Sequence, residues 1–93
     1  MFKFELMNNE NDNLNVQCYC CGFITIEERG NYQICPVCFW EDDGGCELNK
    51  ESGPNHMTLE EGRNNFEKFG ACEERFVKNV EKNPESRFRR KNL

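Results

Sequence analysis

Two pairs of cysteines in the first half of the chain have the residue type and spacing of a metal site. Two residues separate the cysteines of each pair, Cys18 with Cys21 and Cys35 with Cys38, and thirteen residues separate the two pairs. A tight turn of this length can direct both of its sulfurs at one point, and two such turns supply four thiolates in a tetrahedron. The spacing therefore predicts a structural metal site.

Zinc is the metal that we expect, because an all-thiolate site in a short module suits it. Iron is the alternative cofactor, since cages of four sulfurs also hold iron in rubredoxins. The ligand set has alternatives as well, because Cys20 lies inside the first pair and could replace Cys18. We favour Cys18, which keeps the two-residue spacing and leaves Cys20 as a free thiol or as a group packed beside the ligands. His56 is the single histidine, and we expect it near a helix start rather than as a replacement ligand or a base.

The length of 93 residues allows one domain, and a domain of this size buries little apolar surface. A metal ion would therefore contribute folding free energy directly. The first residues contain no long apolar run like that of a signal peptide, and the seven cysteines are an odd number. These features favour a reducing cytoplasm over an oxidising compartment. No stretch predicts a transmembrane helix.

The charge is distributed unevenly along the chain. The whole chain carries −5, but residues 1–86 hold 8 basic and 17 acidic side chains, a balance of −9, and four basic residues follow. An acidic body argues against nucleic acid and suits a basic protein partner, although an acidic surface without any partner is the commoner case. The candidate contact residues are the acidic side chains after the second cysteine pair: Glu41, Asp42, Asp43 and Glu47.

Short strands are predicted before the first cysteine pair and between the two pairs. Alternating apolar and charged residues over 2–6 predict a strand, and the asparagine-rich residues 8–15 predict a polar connector. Between the pairs, residues 23–26 and 32–34 are β-branched and aromatic, and a turn over 27–31 separates them. We therefore expect a hairpin with a metal knuckle at each end, which is the plan of a zinc ribbon.

Two helices are predicted in the second half of the chain. Thr58 and Glu61 have the spacing of a capping box, which predicts a helix over 59–69. On this helix we expect Gly62 to let another backbone approach closely. A second short helix should follow and end before Pro84.

These elements predict a fold class and a division of the chain. We expect a small α+β metal-bound domain, with a zinc-ribbon or rubredoxin-like double knuckle on a β-hairpin and one or two C-terminal helices. This domain should span residues 16–83. An N-terminal strand and connector should occupy residues 1–15, and a frayed basic tail should occupy residues 84–93.

Four motifs occur in order along the chain: Cys18-x-Cys20-Cys21-Gly22, Cys35-Pro36-Val37-Cys38-Phe39-Trp40-Glu41-Asp42-Asp43, Gly53-Pro54-Asn55-x-x-Thr58-Leu59, and Asn65-Phe66-x-x-Phe69-Gly70-Ala71. Together they resemble the bacterial cysteine-rich CPCC family over residues 17–84. Tyr19 replaces the proline after which the family is named, and this departure removes no ligand. The resemblance implies a small metal-binding bacterial protein, and it implies no particular activity.

Three functions from different classes follow from these observations. The first is a non-catalytic protein whose zinc supports a protein-interaction surface, including the case of an acidic immunity protein that inhibits a toxin. The second is rubredoxin-like electron transfer, or redox sensing with Cys20 as a resolving thiol. The third is a small enzyme of unknown reaction. We favour the first, because four cysteines close the metal site and neither Cys46 nor Cys72 has a base beside it in sequence.

Overall fold

The structure, a computed structural model, describes residues 14–93. The strand predicted over 2–6 and most of the predicted connector lie outside the described residues. The described chain forms a small α+β unit with two small antiparallel sheets, one α-helix and two 3-10 helices. Its core consists of buried cysteines packed with large apolar side chains such as Phe23, Trp40 and Leu59. Among these helices, none has the length and apolar character needed to span a membrane.

Both sheets are pairs of very short strands. In the first sheet, β1 (Val16–Gln17) pairs with β2 (Ile24–Ile26), and the first cysteine pair lies in the connection between them. In the second sheet, β3 (Glu51–Ser52) pairs with β4 (Met57–Thr58) directly before the α-helix. Pairs this short are marginal by themselves, so their stability depends on packing against the core.

The hairpin predicted between the two cysteine pairs does not form. The partner of β2 is β1, and residues 32–34 instead pair with the residues after the second cysteine pair. Ile34 forms an isolated antiparallel bridge with Glu41. The Cys35 N–H donates to the Trp40 carbonyl at 2.9 Å. Each cysteine pair thus reverses the chain between its own two extended segments, because a turn that directs two sulfurs at one point also turns the backbone back on itself.

Helix α1 (Leu59–Phe69) confirms the prediction from the capping box. The Glu61 N–H donates to Thr58 Oγ1 at 3.1 Å, and the Thr58 N–H donates to Glu61 Oε1 at 2.9 Å. The helix ends at Gly70, whose φ of 85° is left-handed. Leu59 and Gly62 are the buried residues of the helix, and the partly buried Phe66 also packs against the core.

Gly62 permits a close approach, but to a side chain rather than to the backbone that we expected. A Cβ atom at position 62 would lie 2.8 Å from Trp40 Cζ3 and 3.3 Å from Cys20 Sγ. Both distances are shorter than an ordinary van der Waals contact. The glycine therefore lets α1 press directly on the indole ring beside the second cysteine pair.

The chain after α1 is held against the cysteine pairs rather than extended away from them. The second predicted helix is a 3-10 helix (Glu74–Asn79), and a further 3-10 turn follows (Pro84–Ser86). The tail does not fray, because the Ile24 N–H donates to the Arg89 carbonyl at 2.8 Å and the Lys91 N–H donates to the Gly22 carbonyl at 2.9 Å. These bonds give β2 a second backbone neighbour, which the local sequence of the tail did not indicate.

Candidate metal centre

The structure brings four cysteine sulfurs together in the centre of the fold. The Sγ atoms of Cys18, Cys21, Cys35 and Cys38 all lie within 4.8 Å of one another, and the four residues are completely buried. The Sγ atoms of Cys18 and Cys38 are 3.6 Å apart, and those of Cys21 and Cys35 are 3.7 Å apart. Sulfurs bound tetrahedrally to zinc at ~2.3 Å are about 3.8 Å apart. The cluster therefore has the donor set and the size of a metal site.

Two backbone turns of the same conformation hold these sulfurs. We call residues 18–22 the N-terminal knuckle and residues 35–39 the C-terminal knuckle. In each knuckle the N–H of the last residue donates to the carbonyl of the first, from Gly22 to Cys18 at 2.9 Å and from Phe39 to Cys35 at 2.8 Å. The last residue has a positive φ in both, 87° at Gly22 and 74° at Phe39. The turn therefore points both cysteine side chains of a knuckle to the same side.

Cys20 is separate from the four sulfurs, although it lies inside the N-terminal knuckle. Its side chain is buried, and its sulfur faces Gly62 of helix α1. The structure thus places Cys18 rather than Cys20 in the cluster. The physical reason is the turn, which directs its first and fourth residues to one side and its third residue toward the helix.

Hydrogen bonds distinguish one sulfur of the cluster from the others. Cys35 Sγ lies 3.0 Å from the Thr25 hydroxyl and accepts the Val37 N–H at 3.4 Å. Burial by itself would raise the pKa of Cys35, but hydrogen bonds from the other three thiols and from Thr25 outweigh burial and hold this pKa well below its usual value. Burial and the neighbouring thiols raise the pKa of Cys38. Of these two sulfurs, Cys35 therefore carries negative charge more readily than Cys38.

Thr25 is a site residue that the sequence analysis missed. It is 1% exposed, and it lies in the middle of β2 between two buried isoleucines. A single hydroxyl within an apolar strand close to the first cysteine pair is the signal that could have identified it. Because buried hydroxyl groups need a partner, its position next to Cys35 satisfies both groups.

Arginine side chains hold the carbonyls of the N-terminal knuckle. Arg63 Nε donates to the Tyr19 carbonyl at 2.8 Å, and Arg90 Nε donates to the Cys21 carbonyl at 3.0 Å. Four thiolates around a divalent ion carry a net charge of about −2, which nearby guanidinium groups would compensate. Arg90 belongs to the basic tail, so the docked tail contributes directly to the surroundings of the cluster.

Backbone N–H groups hold the carbonyls of the C-terminal knuckle. The Cys72 N–H donates to the Cys38 carbonyl at 2.7 Å, and the Glu81 N–H donates to the Pro36 carbonyl at 2.9 Å. Cys72 is itself buried, and burial raises the pKa of its thiol to about 12. The raised pKa favours the protonated thiol, which packs in the core cluster.

The two remaining sequence candidates for chemistry lie outside the cluster. His56 occupies the turn between β3 and β4 with a φ of 58°, and its N–H donates to the Ser52 carbonyl at 2.8 Å. Its ring nitrogens are not part of the group formed by the four sulfurs. Cys46 is exposed, whereas the other six cysteines are buried.

The acidic stretch after the C-terminal knuckle does not form one continuous surface. Asp42 is 1% exposed, accepts a hydrogen bond from the Gly30 N–H at 2.7 Å and pairs with the Arg29 guanidinium. The expectation that Asp42 faces a partner is therefore wrong, because this carboxylate is buried to hold the turn at Gly30. Glu41 and Asp43 are half-buried, and Glu47 is exposed.

Comparison with known proteins gives one match. The family model described as cysteine-rich CPCC matches residues 16–87, which include all four clustered sulfurs and both knuckles. Comparisons with curated proteins and with solved structures give no significant match. The matched segment covers more than half of the chain. The chain therefore belongs to the cysteine-rich CPCC family.

Proposed function

We propose that the four clustered cysteines hold one zinc ion in a structural role, and that the protein acts by binding another protein. The observation that carries the first part is the complete burial of all four sulfurs at tetrahedral spacing. Catalytic zinc needs an open coordination position, whereas four buried thiolates fill the coordination shell. The matching turns of the two knuckles support a zinc-ribbon or rubredoxin-like double knuckle.

Zinc would join two knuckles that belong to different parts of the chain. The two knuckles belong to different sheet-like pairs, and their carbonyls accept hydrogen bonds from helix α1, from the segment after it and from the tail. One ion at the centre would therefore stabilise most of the described fold. We expect about one zinc per chain in reduced, freshly purified protein, measured by elemental analysis together with X-ray absorption at the zinc edge. Protein that folds without any metal would contradict this proposal.

Electron transfer by iron in the same site is the second candidate. The observation in its favour is the donor set, because four sulfurs within 4.8 Å of one another suit iron as well as zinc. An iron protein of this type is red when oxidised, and a zinc protein is colourless. Absorption spectra of protein from cells grown with both metals therefore decide between the two. Redox sensing by Cys20 is disfavoured by burial, since its side chain is 2% exposed.

The protein-binding part of the proposal rests on charge and on a metal site that four thiolates would close. The body of the chain over residues 1–86 carries −9, and it includes exposed carboxylates such as Glu47 and Glu51. A basic protein is the partner that this charge would attract, and an immunity protein that blocks a toxin is one case.

Cross-linked pull-down from the native cell tests the protein-binding part directly. If association is steered by charge, its rate should fall as salt rises through the physiological range, where the Debye length is about 8 Å. A toxin gene beside the gene for this chain would favour the immunity case. Recovery of no partner, together with turnover of a substrate in a metabolite screen, would replace this proposal by an enzymatic one.

A further inference from the structure

We propose that residues 89–93 form a strap over the N-terminal knuckle, and that the metal enters and leaves the sulfur cluster beside Cys21 when this strap detaches. This role of the strap rests on the proposed function, because it requires a metal ion among the four cysteines. The attachment of the strap is seen in hydrogen bonds, ring contacts and a cavity of the described chain.

Hydrogen bonds of the backbone join the strap to the knuckle and to β2. The Ile24 N–H donates to the Arg89 carbonyl at 2.8 Å, and the Lys91 N–H donates to the Gly22 carbonyl at 2.9 Å. From β1, Gln17 Nε2 donates to the Lys91 carbonyl at 2.8 Å. The strap therefore lies along the end of the knuckle in the manner of an added strand.

The Arg90 side chain connects the strap to a ligand residue and to helix α1. Its Nε donates to the Cys21 carbonyl at 3.0 Å. Its guanidinium carbon lies 5.0 Å from the centroid of the Phe23 ring and 5.6 Å from that of the Phe66 ring. A guanidinium over the face of an aromatic ring is attracted to it. Arg90 is therefore the side chain on which attachment of the strap depends most.

The strap covers Cys21 from one side. Cys21 is 0% exposed, and it lines a cavity of about 210 Å³ whose other lining residues within 14–93 all belong to the strap, residues 90–93. The strap also contacts the next residue closely, since a Cβ at Gly22 would lie 2.9 Å from the Lys91 carbonyl oxygen and 3.5 Å from Leu93 Cγ. Detachment of the strap therefore removes a wall from beside this ligand.

The two knuckles differ in how readily their covers detach. Each residue of the strap is exposed, so its detachment breaks hydrogen bonds and exposes little apolar surface. The C-terminal knuckle is held by the N–H groups of Cys72 and Glu81, and Cys72 is packed in the core. Segments with few buried apolar contacts open locally at the lowest free energy. Metal exchange therefore occurs beside Cys21 rather than beside Cys38.

The test measures transfer of zinc from the zinc-loaded chain to an excess of the dye 4-(2-pyridylazo)resorcinol. Arg90→Gln should speed the transfer about fivefold or more, because it removes a hydrogen bond from a charged group to the Cys21 carbonyl. Arg89→Gln is the matched control, since it removes the same charge from a residue that is attached through its backbone carbonyl. Its rate should stay within about twofold of wild type. Equal rates in the two variants would overturn the proposal.

Phe76→Leu separates detachment of the strap from a general loss of stability. The Phe76 ring lies 4.6 Å from the Phe39 ring at the C-terminal knuckle, so the variant should lower the midpoint of urea unfolding. Its rate of zinc transfer should nevertheless stay within about twofold of wild type, because the strap is intact. If Phe76→Leu sped transfer as much as Arg90→Gln, zinc would leave through general unfolding or through the other knuckle, and the proposal would be wrong.

Hydrogen exchange in the full chain follows the strap itself. The amides of Ile24 and Lys91 donate between the strap and its neighbours, so Arg90→Gln should speed their exchange by the same factor as zinc transfer. The Cys72 amide, which donates to the Cys38 carbonyl, should exchange as in wild type. Faster zinc transfer without faster exchange at Ile24 and Lys91 would contradict a role for the strap.

Metal content distinguishes failure of this inference from failure of the proposed function. One zinc per chain, with a transfer rate that Arg90→Gln leaves unchanged, overturns the strap and leaves the structural zinc site intact. A chain that folds without any metal contradicts the zinc site, and it overturns the role of the strap in metal exchange even where hydrogen exchange shows that the strap detaches.

Discussion

The N-terminal and C-terminal knuckles have the same backbone conformation, and they reach it with different residues. Both end in a left-handed residue, Gly22 with a φ of 87° and Phe39 with a φ of 74°. Glycine adopts this conformation without steric strain, whereas another residue loses roughly 1–3 kcal/mol. The Phe39 ring lies 4.6 Å from the Phe76 ring between centroids, and this contact offsets the strain. A metal knuckle therefore requires a backbone shape, and either a glycine or a well-packed larger residue can provide it.

The groups that hold the two knuckles also differ. Arginine side chains and the tail donate to the carbonyls of the N-terminal knuckle, through Arg63, Arg90 and Lys91. Backbone N–H groups of Cys72 and Glu81 donate to those of the C-terminal knuckle. The N-terminal knuckle therefore depends on distant side chains and on the end of the chain, while the C-terminal knuckle depends on the segment that directly follows helix α1.

Loss of a clustered cysteine should have the largest effect on either knuckle. Cys18→Ser and Cys38→Ser, one from each, should lose both zinc and the folded state, because a structural zinc site contributes on the order of 10 kcal/mol in small modules. Zinc content and circular dichroism measure the two losses. Cys46→Ser, at the exposed cysteine, is the matched control and should keep both.

The N-terminal knuckle contains a third cysteine, Cys20, and the C-terminal knuckle has no counterpart to it. Cys20→Ala should keep zinc and lose about 1 kcal/mol, since it removes one buried sulfur from the core. If Cys20→Ala lost zinc while Cys18→Ser kept it, the ligand in this knuckle would be Cys20.

Adding a methyl group to the N-terminal knuckle should have the largest effect after the loss of a clustered cysteine. In Gly22→Ala, the new Cβ would lie 2.9 Å from the Lys91 carbonyl oxygen, and φ would remain left-handed. We expect a loss of about 2–3 kcal/mol, measured by urea unfolding of the zinc-loaded protein. Gly70→Ala is the matched control, because Gly70 has a φ of 85° with nothing within 4 Å of a Cβ, and it should lose only about 1 kcal/mol. Equal losses would show that the tail does not constrain this knuckle.

The smallest effect is expected where strain and packing oppose each other. Phe39→Gly should relieve about 1 kcal/mol of backbone strain but lose the ring contact and its buried area, for a net loss of about 1 kcal/mol. In a Phe76→Leu background the same change should be neutral or stabilising, because the aromatic contact is already absent. A double-mutant cycle of urea midpoints measures the difference. Stabilisation by Phe39→Gly in the wild-type background would mean that strain outweighs packing at this knuckle.

The sequence by itself determined the features that depend on neighbouring residues. The spacing of each cysteine pair predicted which sulfurs would converge, since a two-residue gap within a turn has one geometry that points both side chains the same way. The capping box predicted the start of helix α1 at Thr58, because the bonds that start a helix join residues three positions apart. Membership of the cysteine-rich CPCC family also followed from local motifs in order along the chain.

Only the tertiary structure decided the pairings between distant residues. The strand β2 pairs with β1 and with the tail rather than with residues 32–34, and Gln17 Nε2 donates to the Lys91 carbonyl at 2.8 Å across 74 positions. Asp42 has an acidic side chain, yet it is buried, because the Arg29 guanidinium pairs with its carboxylate and the Gly30 N–H donates a hydrogen bond to it. Trp40 packs against Gly62 of helix α1, and within residues 14–93 its indole N–H has no hydrogen-bond partner. Which of these contacts form depends on the surfaces that remain exposed after the two knuckles have come together. No local sequence pattern encodes those surfaces.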